Sequence, residues 1–264
     1  MQRYFKILWR IARMSLATSL MYKTDWILGV FTTFSYSGLQ IFFIAMLFSS
    51  GGLTRIVGFS VWQMVLVFMF GQIIYFFAFT FIFENVGLFR YKVMQGELDH
   101  FLLRPISPVF LLSFQKFGLV EASAIITYTL ATLIYLFIRT DVLFSETQWL
   151  TIGVIFIGSL VLMSCIYWIA GLIFFYWPNF LAIWWMLNNI SDVAKYPRRI
   201  YPSAMQWFLI FFIPLFCMVN PLYDVMDGSF DFWRGLDIFL VITMFVLIYL
   251  MMWKDGLRRY SSAA

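Results

Sequence analysis

Charge is what this sequence has least of. Asp, Glu, Lys and Arg make up 12% of its 264 residues, where soluble domains carry about a quarter. With 63% of the residues hydrophobic and 22% aromatic, too few polar groups remain to cover a water-soluble globule. Histidine is nearly absent: His100 stands alone, which excludes a histidine-rich metal cluster and a histidine-centred catalytic constellation. The two cysteines, Cys165 and Cys217, lie inside apolar runs and read as small buried hydrophobes, not as a disulfide or a metal pair. No Gly-x-x-x-x-Gly-Lys-Ser/Thr loop occurs to cradle nucleotide phosphates, and no Gly-x-Ser-x-Gly elbow occurs to carry a nucleophile. These absences argue against an enzyme.

What the chain does have is long apolar runs. A helix needs roughly 20 apolar residues to cross the hydrocarbon of a bilayer, and in lipid its backbone must be satisfied internally. Six runs qualify, near residues 26–48, 61–83, 109–138, 150–176, 204–219 and 238–253. The fold expected is therefore an all-α integral membrane protein, a single transmembrane domain of six helices over residues 1–264. Ahead of the first run, Arg3, Lys6, Arg10 and Arg13 share one helical face while Phe5, Leu8, Trp9, Ala12 and Leu16 share another. The charges interrupt what would be the core of a cleavable signal. Residues 1–22 read instead as an amphipathic helix lying in the membrane interface.

The basic residues separate by loop. Fourteen of the 18 Lys and Arg lie in the N-terminal segment, the second and fourth loops and the C-terminus. Three (Arg55, Arg139 and Arg234) lie in the other loops, and Lys116 lies inside the third run. Positive charge collects on the cytoplasmic side, so both termini are expected there. This segregation also removes the case for nucleic acid, which would want one basic patch.

The most informative stretch is Gly96-Glu97-Leu98-Asp99-His100-Phe101-Leu102-Leu103-Arg104-Pro105, in the loop after the second run. Pro105 stops a short helix that follows Gly96. Leu98, Phe101 and Leu102 share a face at i, i+3, i+4 spacing, and Glu97 and Asp99 sit where the helix dipole favours negative charge. So short a helix must bury its apolar face against something. One reading folds it back on this protein; the other docks it into a groove of a cytoplasmic partner. A second turn, Lys195-Tyr196-Pro197-Arg198-Arg199-Ile200-Tyr201-Pro202, is rigidified by its prolines. It reads as an anchor for the fifth run or as a further cytoplasmic contact. Within the third run, Lys116 falls about 10 Å from the cytoplasmic end and Glu121 about 18 Å, at 1.5 Å per residue. Five residues apart, they are not an obvious pair. Glu121 is either a structural hydrogen-bonding group or a polar point on a translocation path.

The segments Gly96-Glu97-Leu98-Asp99, Leu102-Leu103-Arg104-Pro105 and Ser107-Pro108, followed by Tyr196-Pro197 and Ile200-Tyr201-Pro202, resemble the membrane subunits of ABC-2 type ABC transporters. The resemblance covers nearly the whole chain. The chain departs from the pattern at Lys195, where arginine is usual, and at Arg199, where a smaller or acidic residue is. The resemblance implies a permease subunit with no catalytic, cofactor or metal site of its own, in the bacterial inner membrane. Cytoplasmic ABC ATPase subunits would carry ATP and magnesium. A second copy or a related permease would complete a dimer in contact with membrane lipids, and the cargo would be a hydrophobic or amphipathic compound moved outward. It also implies that Gly96, Glu97, Leu98, Asp99, Phe101, Leu102, Arg104 and Pro105 form the coupling helix. Leu98, Phe101 and Leu102 would be its buried anchors, and Tyr196, Pro197, Arg198, Tyr201 and Pro202 a second contact. The path would lie at the dimer interface, with Phe70, Tyr75, Phe212 and Glu121 as candidates to line it. A non-transporting scaffold or sensor that docks a partner through the same helix is the alternative.

Overall fold

The computed structural model describes residues 2–49, 58, 60–138, 144–180, 182–193, 201–202, 205–206 and 216–260. Among these the chain is helical, with turns and short connections and no strand. Helix α1 (Gln2–Met21) leads into α2 (Lys23–Ser49). Helix α3 (Val61–Ala78) continues through a π-helical turn (Phe79–Phe83) into α4 (Glu84–Met94). Two short helices follow, α5 (Asp99–Leu102) and α6 (Pro108–Ser113), and then α7 (Leu119–Ile138). Helix α8 (Glu146–Leu172) ends in a 3₁₀ turn (Ile173–Phe175). Beyond it lie α9 (Ala182–Val193), α10 (Phe216–Met226) and α11 (Phe232–Arg259).

Five helical stretches among the described residues are long and apolar enough to cross a membrane: Lys23–Leu47, Val61–Met94, Leu119–Ile138, Glu146–Phe175 and Phe232–Arg259. Four correspond to the first, second, fourth and sixth runs, with longer bounds than hydropathy alone marks. The fifth expected span, 204–219, lies largely outside the described residues, as do Phe212 and Pro214. The third is corrected. The run 109–138 is not one helix: α6 ends at Ser113, Phe114–Gly118 is non-helical, and α7 starts at Leu119.

The two long central stretches, α3–α4 and α8, carry most of the buried core. Met64, Val67, Phe68, Ile74, Ala78, Val86 and Phe89 pack with Leu162, Ile166, Tyr167, Ala170 and Leu172. Helix α7 lies along α2 and α3, while α10 and α11 lie along α8. The outward faces of α2, α7 and α11 remain apolar, with Phe31, Leu39, Ile134, Phe137, Phe239 and Leu247 among the exposed side chains. Soluble proteins rarely leave such surface uncovered; lipid is the medium that accepts it.

Length places the ends. Val61–Met94 is 34 residues, about 51 Å at 1.5 Å per residue, against a hydrocarbon core of about 30 Å. The stretch is thus long enough to carry its charged end, with Arg90 and Lys92, beyond an apolar layer.

Candidate functional site: a loop seated on the helical core

The break in the third run is built jointly with the π turn opposite. Buried Asn85 accepts the N–H groups of Gln115 (3.1 Å) and Lys116 (3.0 Å) on Oδ1. Its Nδ2 donates to the carbonyls of Lys116 and Phe81, each at 2.9 Å. A π turn widens the helical ladder, and here the Thr80 carbonyl accepts the Gly118 N–H at 3.1 Å. Ser15 of α1 accepts the Phe117 N–H through Oγ at 3.1 Å. A helix end in an apolar setting must find such partners. These side chains supply them, so the break is a made feature of the fold.

Lys116 lies in this break, 2.9 Å from Glu84 Oε2. Its partner is thus on another helix, 32 residues away in sequence. Glu121 sits in the first turn of α7, not 18 Å into a continuous span. Its carboxylate lies over Gly118, at the helix end where negative charge is favoured.

The loop after α4 turns at Gly96, whose φ of 72° is a left-handed conformation that suits glycine. The helix that follows is shorter than residues 96–105 suggested: only Asp99–Leu102 is helical. Its apolar face points inward. Leu98 is 0% exposed, and Phe101 and Leu102 pack against the same core. The Phe101 ring is flanked by Lys92 Nζ at 4.5 Å and Arg104 Cζ at 5.4 Å from its centroid. The outward side chains are Glu97, His100, Leu103, Arg104 and Pro105, with Leu103 at 84% exposure. Leu98 is therefore covered by its own chain and has no free surface to give a partner. Leu103, which the i, i+3, i+4 pattern passes over, is the exposed apolar residue of the loop.

Beside this loop three helix ends are tied together. From α4, Arg90 donates through Nε to the Pro178 carbonyl (3.3 Å) and lies over the Phe174 ring. After α8, the Tyr176 hydroxyl donates to Asp255 Oδ2 (2.8 Å), which also takes the Arg259 Nε–H (2.9 Å). From α11, Gly256 meets the Phe175 ring so closely that a Cβ there would run into it. Tyr260, 6.3 Å from the Phe175 ring, packs on the core beside Leu98 and Asp99. Burial, and then the Asp99 carboxylate, push its phenol above the usual value. These contacts bind the span ends to one another, and the loop meets them through Phe101 against Lys92 of α4 and through Leu98 and Asp99 beside Tyr260 after α11.

The other candidates are scattered. Phe70 packs edge-on against Phe156, and Tyr75 stacks on Phe79 at 4.3 Å, so both are engaged within the bundle. Tyr201 packs on the core and Pro202 is exposed. Tyr196, Pro197 and Arg198 lie outside the described residues. Helix α1 meets the body through Tyr4, edge-on to Phe110 at 4.7 Å, and leaves Phe5, Trp9, Met14 and Leu16 exposed, as an interfacial helix would. Cys165 is a buried free thiol.

A bundle of apolar helices that projects a braced loop at one end is the architecture of a polytopic membrane subunit, and the comparison with known families is specific. The family model of ABC-2 family transporter proteins matches residues 34–264. The chain belongs to that family and is a multi-pass membrane subunit of the ABC transporter class. No curated protein and no solved structure matches it.

Proposed function

We propose that this chain is the permease of an ATP-driven exporter in the bacterial inner membrane. Both termini are cytoplasmic, and two permeases pair around a path for a hydrophobic or amphipathic compound. ATP and magnesium are bound and turned over by separate cytoplasmic ATPase subunits. The observation that carries this reading is the loop at residues 96–105. Its inner face, Leu98, Phe101 and Leu102, is packed on the protein's own helical core, and its outer face offers Leu103, Arg104 and Pro105. A lever needs both halves: an exposed face for the partner and a rigid seat that passes its movement into the membrane. Basic residues dominate the loops on this side, in keeping with a cytoplasmic placement.

The seat assigns roles within the loop. Leu98, Phe101 and Leu102 hold it in place, and Leu103 and Arg104 make the docking contact. The path follows the second and fifth spans, with Phe70 and Tyr75 reaching it only if the packing around them opens during the cycle. The test is to reconstitute the chain with its ATPase in liposomes and measure ATP turnover and efflux. Turnover stimulated by lipophilic compounds, with both activities lost in Leu103→Asp, supports the reading. Turnover indifferent to the permease and to such compounds overturns it in favour of a scaffold.

A further inference from the structure

A groove of about 800 Å³ runs between α1 and the segment ahead of α6, lined by Gln2, Arg3, Lys6, Ile7, Arg10 and Ile106. Its three cations fall at i, i+3 and i+7 on one strip of α1, about 10 Å long at 1.5 Å per residue. All three are exposed, and among the described residues none has a carboxylate partner. Ile7 and Ile106 add apolar wall. The same helix exposes Phe5, Trp9 and Leu16, side chains that lie at the level of acyl chains when a helix rests in the interface. The groove is also held in shape: Tyr4 against Phe110, and Ser15 bonded to the Phe117 N–H, fix α1 to α6 and to the break.

We propose that this groove is a binding site for the headgroup of an anionic phospholipid. A phosphodiester matches the guanidinium forks of Arg3 and Arg10, and Lys6 between them adds a point charge. The adjoining apolar side chains favour a lipid over a soluble phosphate or an acidic protein segment, because only a lipid brings acyl chains to the same place. The inference rests on α1 lying at a membrane surface and not on the transport cycle.

The full chain in nanodiscs of zwitterionic lipid doped with phosphatidylglycerol, without ATP or ATPase, supplies the test. Native mass spectrometry reads the phosphatidylglycerol retained per chain. The variant Arg3→Gln/Lys6→Gln/Arg10→Gln is compared with Arg13→Gln/Lys23→Gln/Lys254→Gln, which removes the same charge from exposed positions outside the groove. Since the substituted side chains are exposed, both variants are expected to fold, as shown by an unchanged thermal midpoint. The control variant sets the general pull of three surface cations, and the groove variant should weaken retention at least about tenfold further. Equal losses would mean general charge attraction and would overturn the site, as would no loss in either. Displacement of the lipid by millimolar glycerophosphate would reassign the groove to a soluble anion. Unchanged lipid retention, with weaker capture of the ATPase by the groove variant in a separate pull-down, would make it a protein-docking face. Either outcome overturns the proposal.

Discussion

Asn85→Leu is the sharpest structural test, because one side chain holds two halves of a broken span. Asn85 is fully buried and makes four hydrogen bonds. Leucine removes all four, leaving two N–H groups and two carbonyls without their partner. A buried polar group left unpaired costs about 1–3 kcal/mol. The Phe81 carbonyl lies inside a continuous helix and keeps its place in the ladder, so three groups bear the cost, and local rearrangement recovers part of it. The net loss is about 4 kcal/mol, or about 8–16 °C in thermal midpoint for a chain of this size. The assay is thermal unfolding in mild detergent, read by size-exclusion chromatography with tryptophan fluorescence. Asn85→Asp, which keeps the acceptor for Gln115 and Lys116 but loses the donor, should fall between wild type and the leucine variant. A shift within about 2 °C for Asn85→Leu, the size expected of a surface change, would refute the claim that Asn85 holds the break.

Four further outcomes follow from the geometry. Leu98→Asp places a charge in a sealed apolar seat and should cost at least about 4 kcal/mol of stability. Leu103→Asp should stay within about 0.5 kcal/mol of wild type yet weaken ATPase association by about 30-fold, as thermal unfolding and a pull-down titration would report. Gly256→Val forces a side chain into the Phe175 ring and should cost about 1–3 kcal/mol, with a lower ratio of efflux to ATP hydrolysed as the loop loses its seat. Lys116→Met removes the Glu84 ion pair, but half-exposed pairs contribute only about 0–1 kcal/mol; a larger shift in thermal midpoint would mean that the pair does more than bridge two helices.

The membrane class and most of the helix inventory were legible because composition and run length are one-dimensional quantities. The loop at residues 96–105 was legible too, since Gly96 and Pro105 punctuate it. Three things were not. The break at Phe114–Gly118 sits in a run whose overall hydropathy reads as one span despite Gln115, Lys116 and Glu121, and the group that stabilises it, Asn85, is 30 residues from Gln115 on another helix. The same distance hid the Lys116–Glu84 pair, and it displaced Glu121 from a deep position to the start of α7. The facing of the short helix was hidden for a different reason. Leu98, Phe101 and Leu102 define an apolar stripe, but a stripe does not say whether its cover comes from the same chain or from another. Here the chain's own core covers it, and Leu103 is left outside.

The most direct test of the central claim is purification of this chain from its native membrane in mild detergent, with identification of what accompanies it. A cytoplasmic ABC ATPase in near-equal amount is the expected result, lost on Leu103→Asp while the membrane domain stays monodisperse. If no ATPase accompanied the wild-type chain under any of several gentle conditions, the claim that it is the permease of an ATP-driven exporter would be contradicted.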